Sequence, residues 1–243
     1  MAARTMGLTQ KAVDTATEMR LKAAREQAGA LAERVNQGGD PAVDQRNADY
    51  FTKNKYVIVR GMIEPSVVEL AHQYALILRN AGGFSDGDQQ VLGTPSLYND
   101  LLMETLLGQL VPRIEAATGL DLYPTYSYFR IYKPGDILKR HTDRASCEIS
   151  MTIPLGFDGD ECWPIQADNG DHSVVADLQP GDAMVYRGCD VAHWRDEFTG
   201  NHQVQVFLHY VDKNGPHAAR KFDTRPCLGA RSNTKDPERY KNK

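Results

Sequence analysis

The second half of the sequence, from Pro124 onward, is a series of short β-prone segments separated by turn residues. Many short strands at near-regular spacing predict a jelly-roll or a barrel. Because helix-forming segments precede them, we expect an α+β fold with N-terminal helices packed outside a β core at residues 124–212. The predicted strands are residues 126–132, 148–155, 174–176, 183–186 and 204–211.

Helical support for this core is predicted at residues 64–118, after a short β-branched strand at 56–61. The segment Glu64-Pro65-Ser66 opens the first helix, with proline in its first turn. A second helix is predicted from Asn99 to Ala117. Pro112 is expected to kink it, because proline cannot donate a backbone hydrogen bond.

Residues 83–98 lie between these helices and are rich in glycine, serine, aspartate and proline. This composition predicts a loop. A loop of this length inside a compact domain is often a lid or a binding loop. We therefore expect it to close the mouth of the barrel and exclude water from the site.

Both ends of the chain predict appendages to a main domain at residues 41–212. Residues 1–40 predict a helical extension whose apolar positions are mostly alanine. A coiled-coil seam wants larger residues, so packing on the barrel exterior is favoured over an oligomer arm, although an oligomer formed through this helix stays open. Residues 213–243 predict a polar, solvated tail that wraps around the domain or frays.

Composition argues against several function classes. The formal net charge is −4, which does not favour nucleic acid as a partner. No apolar run is long enough to span a bilayer, so no membrane association is predicted. The four cysteines form no Cys-x-x-Cys pair, and in a chain of 243 residues they are typical of reduced thiols. The cytoplasm is therefore the expected location.

The sequence His141-Thr-Asp143 predicts a metal site. Alternate residues of a strand point to the same face, so the imidazole and the carboxylate enter one cavity. A third ligand has to come from a distant strand, and His193 follows a Pro-Gly-Asp turn and a predicted strand. Two histidines and one carboxylate coordinate one face of an ion and leave other positions open, as in non-haem Fe(II) oxygenases.

Further motifs surround these three residues. They are Tyr132-Lys-Pro-Gly135, Trp163-Pro164, Pro180-Gly181-Asp182 and His193-Trp194-Arg195. With these motifs the sequence resembles the 2-oxoglutarate- and Fe(II)-dependent dioxygenases, in their prolyl-hydroxylase-like branch, over about residues 124–212.

The resemblance implies a double-stranded β-helix, also described as a jelly-roll or cupin-like core. It implies an enzyme that couples oxidative decarboxylation of 2-oxoglutarate by O2 to hydroxylation of a C–H bond in a small-molecule or peptide substrate. The implied iron ligands are His141, Asp143 and His193. Halogenating relatives replace the aspartate with a small residue, so Asp143 implies hydroxylation or desaturation.

One position departs from the family pattern. Relatives usually carry arginine or lysine nine or ten residues after the distal histidine, where it pairs with the far carboxylate of 2-oxoglutarate. Here those positions hold His202 and Gln203. Replacement cations are Arg130, Arg195 or protonated His202. Arg130 is preferred, because an arginine among inward-facing aromatic residues needs an acidic partner; a salt bridge at the strand end is the alternative.

Other cosubstrate contacts are predicted from strand parity. Tyr132 matches a family tyrosine that often contacts the cosubstrate, and a core aromatic is its alternative. Gln203, Gln205, Phe207 and His209 alternate with apolar residues and are expected to face the cavity. Thr152, with Ser150, lies on a neighbouring predicted strand and can donate a neutral hydrogen bond to a carboxylate.

Four residues are candidates for substrate binding: Arg144, Trp194, Arg195 and His209. Each has a structural alternative. Arg144 can be an exposed charge at a strand end, and Trp194 can be an ordinary core residue. His209 can be a hydrogen-bonded strand histidine or can support a metal ligand.

Other functions compete with the oxygenase. A jelly-roll protein with a degenerate metal site would bind a ligand without consuming oxygen. A metal-dependent hydrolase or isomerase would work without oxygen and tolerate zinc. Nucleic-acid demethylation is disfavoured, because the sequence has no basic, aromatic stripe near the site. The sequence does not identify the substrate.

Overall fold

The computed structural model describes residues 40–160 and 162–230. The helices in this part are α1 (Pro41–Asn54), α2 (Pro65–Asn80), α3 (Leu101–Gln109) and α4 (Val111–Thr118). The strands are β1 (Tyr56–Val59), β2 (Ser85–Gly87), β3 (Leu92–Tyr98), β4 (Leu122–Tyr132), β5 (Leu138–His141), β6 (Ile149–Asp158), β7 (Ile165–Asp168), β8 (Ser173–Ala176), β9 (Ala183–Arg187), β10 (Ala192–Arg195) and β11 (His202–Asp212). Two 3₁₀ segments, Ala145–Cys147 and Ala218–Thr224, complete the described elements.

The strands form two antiparallel sheets. The larger has the order β1-β9-β6-β11-β4-β3-β2, and the smaller has the order β5-β10-β7-β8. From β4 onward the chain passes repeatedly between the sheets, so both are built from interleaved strands. This topology confirms the predicted α+β fold with a double-stranded β-helix core.

The two faces of the larger sheet have different environments. On β11, Val204, Val206 and Leu208 are fully buried in the main hydrophobic core together with residues of the helices. The intervening residues Gln203 and Gln205 are also fully buried and bind polar groups on the other face of the sheet. The predicted parity of this strand is confirmed, and its polar face lies toward the smaller sheet.

The helical layer begins earlier than predicted, because α1 precedes the expected support at 64–118. The Asp40 side chain accepts a hydrogen bond from the Ala42 amide at 2.9 Å and caps the helix, while Pro41 occupies its first turn. Phe51 of α1 is fully buried in the main core. The Asp40-Pro41 pair, at the end of the predicted extension, therefore begins a helix.

The single helix predicted from Asn99 to Ala117 is two helices. Leu110 separates α3 from α4, and Pro112 lies in the first turn of α4. Proline has no amide hydrogen to continue the hydrogen bonds of the preceding helix, so it is tolerated where a new helix begins. The expected kink is therefore a complete break.

The prediction of a loop at residues 83–98 was largely wrong. Strands β2 and β3 form a hairpin, and β3 extends the larger sheet by pairing with β4, where Ser96 lies opposite Arg130. The buried polar residues Thr94 and Ser96 hid this strand from a hydrophobic pattern. The short connection 88–91 is the remaining loop, and it approaches the cavity between the sheets.

The polar tail expected from residue 213 packs on the protein as far as residue 230. Arg225 pairs with Glu104 of α3 at 2.9 Å, and both side chains are almost completely buried. Glu104 also accepts hydrogen bonds from the backbone amides of Ser127 and Gly229. Of the two expected behaviours, this part of the tail therefore wraps onto the domain, because a buried ion pair anchors it.

Predictions for residues 1–39 and 231–243 lie outside the described residues. The helical extension at 1–40 and its oligomer contact therefore stay predictions, as do the domain boundaries. Among the described residues, no helix combines the length and apolar character that a membrane crossing requires.

Replacing Arg225 by glutamine tests the anchoring of the C-terminal segment. It leaves the Glu104 carboxylate buried without its cation, so we expect a loss of about 3–5 kcal/mol in the free energy of unfolding, measured with urea. The control is Lys213→Gln, which removes a partly exposed pair with Glu115 and should cost less than about 1 kcal/mol. Equal losses in the two variants would contradict the assignment.

Candidate metal centre

The pairing of β5 with β10 brings two histidines together. His193 lies directly opposite His141 in the antiparallel register, and their ring centroids are 4.2 Å apart. Each Nδ1 lies next to a backbone carbonyl oxygen, that of Lys139 at 2.7 Å and that of Val191 at 3.0 Å. Since a carbonyl only accepts, both Nδ1 atoms donate and both Nε2 atoms keep their lone pairs. Both imidazoles are therefore held in the tautomer in which Nε2 can bind a metal ion.

Asp143 completes the set. Its Oδ1 lies 3.8 Å from Nε2 of His141 and 3.7 Å from Nε2 of His193. Ligand atoms of the three residues lie within 4.8 Å of one another. The backbone approaches closely here, since a Cβ at Gly188 would lie 2.5 Å from Oδ2 of Asp143. The three ligands predicted from the sequence are thus brought together.

A hydrogen-bond chain orients the Asp143 carboxylate. Ser150 donates its hydroxyl to Oδ2 of Asp143 at 2.7 Å, which leaves Oδ1 for an ion. The Ser150 oxygen then accepts a hydrogen bond from Nδ1 of His209 at 3.0 Å. Burial lowers the pKa of His209 to about 4, so the ring is neutral at pH 7 and Nε2 carries its lone pair. Such outer contacts hold a ligand in one orientation.

These groups border a cavity of about 160 Å³. Four tyrosines, Tyr98, Tyr126, Tyr128 and Tyr186, line its wall together with Phe207. His209 faces the same cavity, and its ring packs on Tyr126 with centroids 4.5 Å apart. The cavity therefore combines aromatic walls with the candidate metal ligands.

The loop 88–91 reaches into this cavity. Gln90 donates its side-chain amide to Nε2 of His141 at 2.6 Å, using the lone pair that a metal ion requires. An ion bound at this nitrogen replaces the Gln90 contact. Asp88 holds the loop in place, because its carboxylate accepts hydrogen bonds from Tyr128 and Arg130. The loop is shorter than the predicted lid but lies where the lid was expected.

Arg130 is buried and lines the cavity. Its Nη2 donates to Asp88 at 2.6 Å and to Gln90 at 2.7 Å. Burial alone would raise the pKa of Asp88, but Arg130, the Tyr128 hydroxyl and two backbone amides hold it below its usual value. Nε and Nη1 of Arg130 have no hydrogen-bond partner among the described residues. The acidic partner expected for this arginine is thus Asp88, and the N–H groups of Nε and Nη1, about three of the five that a guanidinium carries, are left without an acceptor in the described part of the chain.

Arg144 also lines the cavity, with its guanidinium 4.7 Å from the Tyr126 ring centroid. Asp223 of the C-terminal segment accepts hydrogen bonds from Nη1 and Nη2 at 2.9 and 2.8 Å. Burial would raise the pKa of Asp223, but the hydrogen bonds from Arg144 hold it well below the usual range. The exposed charge considered as an alternative for Arg144 is therefore excluded.

A second polar cluster lies deeper between the sheets. Gln203 accepts a hydrogen bond from the Trp163 amide at 2.8 Å and donates to Gln205, which donates to Thr152 at 2.7 Å. The Tyr132 side chain is completely buried, packs on Trp163, and its hydroxyl has no partner among the described residues. The predicted cosubstrate residues Tyr132, Thr152 and Gln203 thus share one region. Tyr132 also adjoins Arg130, whose guanidinium lies 6.0 Å from its ring centroid.

Arg195 belongs to this deeper cluster. It is 1% exposed, donates to the Trp163 carbonyl, and its Nε has no partner. Within the described residues, no carboxylate lies within 4.0 Å of its guanidinium. Burial lowers its pKa. An isolated buried cation is costly, so an anion is expected beside it.

The structure does not bring Trp194 to the cavity. His193 and Arg195 are buried on one face of β10, whereas Trp194 is half-buried on the other, with the Arg140 guanidinium 5.3 Å from its ring centroid. A role as a pocket wall and a place in the core were both wrong for this residue, because alternation along β10 turns it outward.

Asp143 also belongs to a second group of possible ligands, together with Cys147 and His209. Burial raises the pKa of the Cys147 thiol well above its ordinary value, and Nδ1 of His209 is already bound to Ser150. The protonated thiol favours His141–Asp143–His193 as the metal set. Sequence spacing did not identify Asp88, Gln90 and Asp223 as residues near the site. For Tyr128 a signal was present, because it alternates with Arg130 and Tyr132 along one predicted strand.

Comparisons with known proteins identify the fold. No protein-family model and no curated protein matches the sequence. A Pseudomonas putida prolyl-4-hydroxylase structure matches at 15% identity with a TM-score of 0.56, covering 70% of this chain and 98% of that one. A Trichoplax adhaerens prolyl hydroxylase, in complex with a hypoxia inducible factor peptide fragment, matches at 14% identity with a TM-score of 0.58, covering 71% and 90%.

A third similar structure is the epimerase SnoN in complex with Fe3+, alpha ketoglutarate and nogalamycin RO. It matches at 16% identity with a TM-score of 0.61, covering 79% of this chain and 93% of the epimerase. The chain therefore has the fold of 2-oxoglutarate/Fe(II) oxygenases, with prolyl hydroxylases among its structural relatives. At these identities the similarity concerns the fold.

Replacing Ser150 by alanine tests the chain that orients Asp143. Without the hydroxyl, Oδ2 loses its hydrogen bond and the carboxylate can rotate, so we expect metal affinity to fall roughly 10- to 100-fold. Anaerobic calorimetry with Fe(II) or Co(II) measures this. The matched control is Ser127→Ala, which removes a buried hydroxyl without a partner on the helix-facing side of β4. Unchanged affinity in Ser150→Ala would exclude the orienting role.

The free energy of unfolding of the metal-free protein should decrease as the pH is lowered from 6.5 to 4. Burial lowers the pKa of both His193 and His209 to about 4, from an ordinary value of 6.5. In this pH range the unfolded chain binds protons at these two histidines, whereas the folded protein does not. Lowering the pH therefore favours unfolding. Urea unfolding at several pH values should show a shallower fall in His209→Gln than in the exposed control His172→Gln. Equal slopes would contradict this.

Proposed function

We propose that the protein is an Fe(II)- and 2-oxoglutarate-dependent oxygenase that hydroxylates or desaturates a small molecule, an amino acid or a protein residue. The observation that carries the proposal is the convergence of Nε2 of His141, Oδ1 of Asp143 and Nε2 of His193 on one point beside the cavity. Two neutral imidazoles and one carboxylate suit a divalent iron and leave positions for other ligands.

The protein's contribution to metal binding is preorganisation. The carbonyls of Lys139 and Val191 hold the imidazoles in the tautomer that presents Nε2, and Ser150 leaves one carboxylate oxygen for the ion. The ligands therefore need little rearrangement before an ion enters, apart from displacement of the Gln90 amide from His141 and of the Tyr186 hydroxyl, which lies 3.4 Å from Nε2 of His193. When bound, iron and 2-oxoglutarate supply the oxidising power for C–H cleavage, with O2 as the oxidant.

We assign the distal carboxylate of 2-oxoglutarate to Arg195 rather than to Arg130. Arg195 is completely enclosed without an anion among the described residues, and the unpaired Tyr132 hydroxyl lies in the same cluster. Thr152 and Gln203 belong to the neutral hydrogen-bond network around it. Arg130 already has the carboxylate of Asp88. A guanidinium two residues after His193 can thus replace the cation missing nine or ten residues after it.

The retained Asp143 carboxylate supports hydroxylation or desaturation over halogenation, as the sequence resemblance implies. Aromatic side chains and the loop 88–91 border the cavity and can limit access of water to the reacting carbon. We expect the protein to act in the cytoplasm, on a small molecule or a peptide. A jelly-roll protein with a degenerate metal site would not need imidazoles held in the tautomer that presents Nε2.

An anaerobic titration tests both the function and the anchor. Protein with Fe(II) and 2-oxoglutarate should develop the weak visible charge-transfer band of their chelate. His193→Ala should abolish it, because one of the three ligands is lost, whereas His172→Ala should retain it. Arg195→Gln should raise the Kd for 2-oxoglutarate roughly 10- to 100-fold, since a hydrogen bond to a charged group contributes about 1.5–3 kcal/mol.

The control for Arg195 is Arg140→Gln, an exposed arginine in the same sheet. Absence of the band in metal-loaded protein would exclude the 2-oxoglutarate proposal. A band with an unchanged Kd in Arg195→Gln would exclude Arg195 alone. Succinate production with oxygen consumption, measured against a library of metabolites, then distinguishes an oxygenase from a binding protein.

A further inference from the structure

The cavity has two polar ends that the metal centre does not use. Arg130 on β4 lies opposite Gln205 on β11, and His209 lies four residues further along β11 on the same face. Since a strand rises about 3.3 Å per residue, the two positions are separated by about 13 Å along the sheet. Tyr128 and Phe207 lie opposite each other between them.

The Arg130 end offers hydrogen-bond donors. The guanidinium is 2% exposed, and only Nη2 has acceptors, from Asp88 and Gln90. Nε and Nη1 are buried without a partner among the described residues. Unpaired buried donors are costly, and those of a cation favour a negatively charged acceptor. This end of the cavity therefore suits a carboxylate.

The His209 end offers an acceptor, and its polarity is forced. Asp143 can only accept, so Ser150 donates to it at 2.7 Å and in turn accepts from Nδ1 of His209. Nε2 of His209 is left with a lone pair and without a hydrogen-bond partner among the described residues. This end of the cavity therefore suits an N–H or O–H group.

The candidate metal ligands border the same cavity as these two ends. His141, Asp143 and His193 border the same space as Arg130 and His209. A molecule held at both ends would expose the carbon atoms between them to the candidate metal ligands. Arg144 adds no free charge at the His209 end, because Asp223 neutralises it.

We propose that the substrate is a small carboxylic acid that also carries an N–H or O–H donor, such as an amino acid or a hydroxy acid. Its carboxylate pairs with Nε or Nη1 of Arg130, and its donor binds Nε2 of His209. This inference rests on the proposed oxygenase function. It disfavours an internal residue of a peptide, which brings no free main-chain carboxylate.

The test is anaerobic calorimetry on protein loaded with Fe(II) and 2-oxoglutarate. The probes are the twenty standard amino acids and their 2-hydroxy analogues, each with its carboxamide and with the analogue that lacks the amino or hydroxyl group. We expect at least one acid to bind and its carboxamide to bind at least 10-fold more weakly. The analogue without the donor should also lose about 10-fold.

Two variants connect each loss to its residue. In Arg130→Gln the difference between acid and carboxamide should disappear, and in His209→Phe the difference between donor-bearing and donor-free analogues should disappear. His209→Phe keeps a ring against Tyr126. Arg140→Gln is the matched surface control and should retain both differences. Thermal unfolding of each variant verifies that it folds.

The possible results distinguish the proposed substrate class from the proposed oxygenase function. If the charge-transfer band forms but no acid binds, or acid and carboxamide bind equally, the substrate class is wrong and the oxygenase proposal survives. If Arg130→Gln weakens 2-oxoglutarate as strongly as Arg195→Gln does, Arg130 belongs to the cosubstrate and the inference is overturned. If the band itself is absent, the proposed function has failed, and the substrate class fails with it.

Discussion

The antiparallel register between β5 and β10 is the constraint on which the site depends. It places His193 directly opposite His141, and both rings enter the space between the sheets. A shift of one residue would turn one imidazole to the outer face, because side chains alternate along a strand. The backbone carbonyls that fix the two tautomers belong to the segments that carry the histidines, so register and protonation state are set together.

The interior between the sheets is unusually polar, and it accommodates three arginines in different ways. Arg130 and Arg144 are neutralised by Asp88 and Asp223, which come from segments outside the eight interleaved strands of the β-helix. Arg195 has no such partner within residues 40–160 and 162–230. Burying a cation without an anion costs more than any neutral hydrogen bond returns. This difference separates Arg195, a buried cation without an anion, from Arg130 and Arg144, whose charges are paired. Arg130 nevertheless keeps Nε and Nη1 for a further acceptor.

The sequence predicted those parts of the site that depend on local patterns. The alternation of Gln203 through His209 follows from the period of a strand and needs no knowledge of distant segments. Asp143 lies two residues beyond the end of β5, so its approach to His141 depends on the turn that follows the strand and not on the strand period assumed from the sequence. Asp88 and Asp223 could not be predicted, because their partners lie 42 and 79 residues away along the chain. The hairpin of β2 and β3 was missed for a related reason: Thr94 and Ser96 are buried polar residues, and a hydrophobic pattern does not register them.

The C-terminal segment contributes to the site through a strained backbone. Phe222, Asp223 and Thr224 all have positive φ, between 52° and 63°, in a conformation that residues other than glycine rarely adopt. Each such residue costs on the order of 1–3 kcal/mol and persists only where its surroundings hold it. Here Arg144 and Tyr98 hold the Asp223 carboxylate, and the Arg225–Glu104 pair fixes the chain two residues later. Because Arg144 directly follows the candidate ligand Asp143, the contacts of this turn also hold the chain beside the candidate metal centre.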